Sequence, residues 1–150
     1  MTDNRPEKTI LIIDDEPHNL RMMVEFLEGQ GFRVLISQDG ASGLQRAAYA
    51  QPDLILLDAI LPDVDGFTLC QQLKANAETK EIPILFLTIL TVPADRLKAI
   101  EVGAADYITK PVQWEDVLLR VNTQLHIRDL TRRLAHAEAQ LAQVHIQAKG

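Results

Sequence analysis

The chain has 150 residues, 47% of them hydrophobic, and carries a net charge of −6. These values suit one globular domain with a short appendage and argue against direct nucleic-acid binding, since no Lys/Arg block is present. Residues 1–8 are polar and not a signal peptide, and no apolar run approaches the roughly 18–20 residues of a membrane span, so a cytoplasmic protein without membrane contact is expected. The single cysteine, Cys70, excludes an internal disulfide and a metal site built of Cys ligands.

Residues 9–13 are β-branched and apolar and read as a first strand, which ends in the acidic cluster Asp14, Asp15, Glu16. Pro17 suits the first position of a helix, on which Leu20, Met23, Val24 and Leu27 form one apolar stripe until Gly29 and Gly31. A short second strand at 33–36 precedes Asp39 and Gly40, the start of a small-residue helix that Pro52 ends. Residues 53–58 form a strand with a continuous apolar run, as expected of a sheet covered on both faces. Asp58 closes that strand, and Pro62 with Asp65 and Gly66 forces a turn into a third helix reaching about Asn76. The fourth strand is predicted over 82–88, with Pro83 among its first residues. Pro93 opens a fourth helix that Gly103 caps, and residues 106–109 make a fifth strand broken by Lys110 and Pro111. From Trp114 nothing interrupts a helix before Gly150. Five strands alternating with five helices predict a doubly wound α/β fold, a parallel sheet with helices on both faces.

Ligands of open α/β sheets bind outside the carboxyl ends of the strands, and this chain concentrates polar groups there. Asp14 and Asp15 follow the first strand, Asp58 ends the third, Thr88 the fourth, and Lys110 follows the fifth. Carboxylates that converge repel one another unless a cation shares the site, and all-oxygen ligands favour Mg²⁺ over Ca²⁺. One divalent ion and one lysine balance three carboxylates. Together they attract a phosphoryl group, which an Asp can accept as an acyl phosphate. Taken singly, Asp14 and Asp15 could merely begin a helix, Thr88 be a strand-end hydroxyl and Lys110 a solvated cation.

In order, Ile13-Asp14-Asp15-Glu16, Asp58 with Leu61-Pro62-Asp63-Val64-Asp65-Gly66, Leu87-Thr88 and Tyr107-Ile108-Thr109-Lys110-Pro111 resemble the receiver domain of two-component response regulators. The resemblance covers residues 8 to about 125. It implies the flavodoxin-like strand order 2-1-3-4-5 and a signalling switch rather than a turnover enzyme. By that likeness Asp58 is the phosphoacceptor, served by a histidine kinase or histidine phosphotransfer protein. Asp15 is implied as a direct Mg²⁺ ligand, Asp14 as one acting largely through water, and the Ile60 carbonyl completes the protein's share. Lys110 pairs with the phosphoryl group, and its bond to Pro111 is implied to be cis. Thr88 and Tyr107 are the implied switch pair, moving to repack the fourth helix, fifth strand and fifth helix.

Three positions depart from the family pattern. Ile89 stands where a small residue is usual, which predicts restricted access to Asp58. Ile60 and Leu90 are apolar where polar side chains often stand, so neither can orient an attacking water and a long-lived phospho-Asp58 is expected. Ala105 brings no acid to the approach of the fifth strand. The alternative reading is a receiver-like scaffold for interaction and dimerisation that takes no phosphate. A haloacid-dehalogenase-like phosphatase is disfavoured because Ile60 stands where that class needs a second acid, and a dinucleotide fold because no G-x-G-x-x-G follows the first strand.

The expected organisation is a polar tail at 1–8, a receiver domain at 9–125 and a helical extension at 126–150. In the extension Ile127, Leu130, Leu134, Ala137, Leu141, Val144 and Ala148 recur at alternating three- and four-residue spacing, a heptad seam. Arg133 and Glu138 are placed to pair across a parallel dimer. A lone helix folded back on the domain, or frayed in water, is the competing expectation, but no further element is left to cover the seam. The signal is then expected to pass to a separate partner, or the chain is a piece whose helix leads into an output module.

Overall fold

Continuous apolar segments become the middle of the sheet, and the polar-flanked segments become its edges. A computed structural model describes residues 7–89 and 93–149, with side chains to residue 147. Its elements are β1 (Thr9–Ile13), α1 (Pro17–Gly29), β2 (Arg33–Ser37), α2 (Gly40–Ala50), β3 (Leu54–Asp58), α3 (Gly66–Ala75), β4 (Ile84–Thr88), α4 (Pro93–Glu101), β5 (Asp106–Thr109) and α5 (Trp114–Lys149). All strands pair in parallel, in the order β2-β1-β3-β4-β5, the flavodoxin-like arrangement. β3 and β4 are buried at every position. The edge strand β2 is buried only at Ser37.

Two apolar layers cover the sheet. On one face Leu11, Ile13, Ile55, Leu57 and Phe86 pack with Leu69, Cys70 and Leu73 of α3. On the other, Ile10, Ile12, Leu54, Leu56 and Leu85 meet Leu20, Met23 and Leu27 of α1 and Val117, Val121 and Leu125 of α5. The α1 stripe therefore faces the core as its spacing predicts, with Val24 partly buried beside it. Cys70 is buried, and burial pushes its thiol up to about 11, leaving it unreactive.

Helix boundaries follow local chemistry. The Glu16 carboxylate accepts the N–H groups of His18 and Asn19 and so caps α1, while Pro17 occupies the first turn. Asp65 caps α3 by accepting from Phe67 N–H. β4 starts at Ile84, two residues later than the predicted 82–88. Pro83 lies just outside the strand, and its carbonyl accepts Ile55 N–H at 3.0 Å, so it supports the sheet without occupying a ladder donor position. Leu90 lies outside the described residues, as does the side chain of Ala148.

α5 is one continuous helix of 36 residues, with no break near residue 125. Its contacts with the domain extend past that point. Arg128 donates to the carbonyls of Pro52 and Asp53 at 3.1 and 2.7 Å, and Lys8 pairs with Asp129 at 3.2 Å. Beyond them every described side chain is exposed, including Leu134, Leu141 and Val144. Among the described residues no helix is long and apolar enough to cross a membrane.

Candidate functional site

Sheet register brings the acids together. Ile13 pairs with Leu57, so the residues that follow, Asp14 and Asp58, leave adjacent strands side by side. Asp58 itself pairs with Leu87, which sets Thr88 one position beyond it. Thr88 pairs with Thr109, and Lys110 N–H donates to the Thr88 carbonyl at 2.8 Å. The five polar positions thus share one end of the sheet, four strands wide.

The carboxylates of Asp14, Asp15 and Asp58 each offer an oxygen within 4.8 Å of the others. Asp14 and Asp58 are 1% and 8% exposed, and Asp15 faces solvent. Each oxygen of Asp58 has a partner: Ile60 N–H donates to Oδ1 at 3.0 Å, and Lys110 Nζ donates to Oδ2 at 3.0 Å. The same ammonium lies 3.5 Å from Asp14 Oδ2. A cavity of about 220 Å³ opens over this group, lined by Asp15, Glu16, Asn19, Asp58, Ile60, Thr88, Ile89 and Lys110.

Electrostatics follow from burial. Desolvation pushes the Asp14 carboxyl up to about 6, and Asp58 adds to the rise, although Glu16 N–H and Lys110 oppose it. Burial alone would pull the Lys110 ammonium down, but the Asp58 and Asp14 carboxylates outweigh that and hold it above its ordinary value. One cation does not neutralise three clustered acids. An all-oxygen set without His or Cys is the donor chemistry of a hard divalent cation, so the residues present fit Mg²⁺.

The remaining positions divide between this centre and, for Ala105, the opposite end of β5. The Lys110–Pro111 bond is cis. Tyr107 is half-buried, with the Arg96 guanidinium 5.3 Å from its ring centroid. Ile60 and Ile89 are 65% and 63% exposed, so they sit at the rim and not across the floor, where Asp58 lies. Ala105 is exposed and its N–H donates to the Ile84 carbonyl at 2.8 Å. Two residues here carried no assignment from sequence. Asn19, in the first turn of α1, lines the cavity. The other is Asp63, in the loop that carries Ile60, and its partners lie 22 and 23 residues away on α2.

The family profile described as the response regulator receiver domain matches residues 10–122. The chain is 44% identical over 120 residues to the DNA-binding dual master transcriptional regulator RpaA of Synechocystis, covering 80% of this chain and 50% of that protein. It is 36% identical to Protein PilH of Pseudomonas aeruginosa over 77% of this chain and 96% of that one. Several of the regulators it matches are longer, and the chain spans 26% to 50% of their length. Among solved structures, the receiver domain of a Pseudomonas aeruginosa sensor histidine kinase, with a magnesium ion coordinated in its active-site cleft, superposes with a TM-score of 0.75. It is 26% identical, over 81% of this chain and 99% of that one.

Proposed function

The chain belongs to the response regulator receiver family of two-component systems, and from that membership we propose that it is a switch operated by phosphorylation of Asp58. The observation that carries this reading is the Lys110 ammonium, 3.0 Å from Asp58 in a cluster of three carboxylates at the open end of the sheet. A carboxylate oxygen of Asp58 attacks the phosphorus of a phosphohistidine on a kinase or phosphotransfer protein. The new O–P bond forms as the N–P bond breaks, and the electron pair returns to the imidazole, which takes a proton from solvent.

Asp14, Asp15, Asp58 and the Ile60 carbonyl would hold Mg²⁺, whose charge would neutralise the phosphoryl oxygens. Lys110 releases Asp58 Oδ2 and pairs with the transferred group instead. Thr88, buried at the end of β4, is within the same cavity and donates its hydroxyl to the group. Tyr107 then turns into the space beside Thr88, and the surface of α4, β5 and α5 repacks. This is a local charge change acting on a two-state packing arrangement. The switch is not a turnover enzyme: its own chemistry is acceptance of the group and slow hydrolysis.

Slow hydrolysis follows from the rim. Ile60 and Leu90 offer no polar side chain to orient water against the acyl phosphate, and Ile89 at the rim restricts access to Asp58. Incubation with acetyl phosphate and Mg²⁺ is expected to add one phosphoryl group, read by intact mass, that decays over minutes to hours. No gain in mass would leave the unphosphorylated scaffold, the alternative that Ile89 at the rim favours. Decay within seconds would remove the role stated for Ile60 and Leu90.

The extension at 126–150, set apart from a receiver unit at 9–125, is proposed to pair in parallel with a second copy. Ile127, Leu130, Leu134, Leu141 and Val144 support this, being 48% to 72% exposed along one face of a helix with no other cover among the described residues.

A further inference from the structure

We propose that Asp63 is a positioning residue for the metal centre, one that fixes the Ile60 carbonyl by fastening its loop to the first turn of α2. This rests on the reading of Asp58 and Ile60 given above. A helix begins with N–H groups that have no partner within it. In α2 two carboxylates supply them. Asp39, the local cap, accepts from Ser42 N–H at 2.7 Å. Asp63, from the loop after β3, accepts from Gly40 N–H through Oδ1 at 2.7 Å and from Ala41 N–H through Oδ2 at 3.1 Å. These two bonds hold the Asp63 carboxyl below its ordinary value.

Contact between the two segments is close. A Cβ on Gly40 would run into Val64 Cγ1, so only glycine lets the loop rest on the helix start. At its base the same loop is closed by Gly66 N–H to the Ala59 carbonyl at 3.0 Å, and by the bridge between Ile60 and Asp65. A Cβ on Gly66 would lie 2.6 Å from the Asp58 carbonyl oxygen and 2.8 Å from that of Ala59, so the base is as tight as the tip. Ile60 therefore sits in a loop pinned at both ends, and Asp63 supplies the polar contacts at the far end. Removing that carboxylate frees the tip and leaves Ile60 held only by the base of the loop.

Asp39 provides the control, because it caps the same helix without touching the loop. In calorimetric titration with MgCl₂, Asp63→Ala is expected to weaken binding about tenfold, the scale of a lost outer-shell partner. Asp63→Asn, which keeps one acceptor oxygen, falls between the two. Asp39→Ala is expected to lower the melting temperature as Asp63→Ala does, each losing a cap of α2, but to leave Mg²⁺ affinity unchanged. Equal affinity in wild type and Asp63→Ala, or an equal loss in Asp63→Ala and Asp39→Ala, overturns the proposal. Titration with Mg²⁺ alone reads Asp63 whether or not Asp58 takes phosphate, so failure of the switch reading registers separately, in the mass measurement.

Discussion

Asp14→Asn is expected to make the metal-free protein more stable at pH 7.5 while weakening Mg²⁺ binding at least about tenfold, as loss of a near-ligand does. Asp14 is 1% exposed, and burial lifts its carboxyl to about 6. A group whose folded value lies above its unfolded value disfavours the folded state once both forms are ionised. The handicap is therefore absent below about pH 4, grows between about 4 and 6, and is complete above 6. A shift of that size corresponds at most to about 3 kcal/mol. The attraction to Lys110 is already counted in that shift, and an Asn carbonyl still accepts Glu16 N–H at the position of Oδ1, but more weakly than a carboxylate, so a net gain of about 1–2 kcal/mol remains. Thermal melts in EDTA should then show the variant higher by several degrees at pH 7.5, with the gap closing toward pH 4. Mg²⁺ should raise the wild type and barely move the variant. Equal or lower stability of Asp14→Asn at pH 7.5 would mean that the buried acids are not in conflict.

The second large effect concerns assembly. Leu134→Asp combined with Leu141→Asp is expected to convert a dimer into a monomer, read by sedimentation or light scattering, with acyl phosphate formation on Asp58 intact. Both side chains lie beyond the last contact between α5 and the domain, at 60% and 72% exposure, so their replacement leaves both apolar layers untouched. A charge at the same seam position of two successive heptads would bury carboxylates between helices. A chain ending near Leu125 gives the same monomer, though it also forfeits the Arg128 and Lys8–Asp129 anchors and is expected to melt lower. A monomeric wild type would leave the seam without a partner in a second copy.

Much of this molecule is legible in residue order, and the particular reasons differ. β1 and β3 announce themselves because a strand covered on both faces must be apolar throughout, as residues 10–13 and 54–57 are. The doubly wound plan follows from the alternation of such runs with amphipathic helices. The strand order does not follow from that pattern; it came from family likeness, and the sheet has it. β4 starts later than its apolar run implies because Ile82 and Pro83 are as buried as the strand itself, and burial alone does not reveal which backbone groups enter the ladder. Asp14, Asp58 and Lys110 could be singled out because polar groups ending apolar strands have few other reasons to be there. Asp63 could not, since an Asp between Pro62 and Val64 looks like an ordinary turn residue until α2 is brought beside it. Arg128 and Lys8 were silent for the same reason: their partners depend on the phase of a helix 75 to 121 residues away in sequence.

The unbroken backbone of α5 has the proportions of a lever. Its root at Trp114 stacks on Phe26, close to Lys110 and Pro111, and its 36 residues extend about 54 Å. Because no glycine or proline interrupts it, bending at a midpoint does not absorb motion applied at the root. A tilt of about 5° there sweeps the far tip through roughly 5 Å, a displacement comparable to one helical turn. Any rearrangement that tilts the helix would be magnified at its tip by length alone.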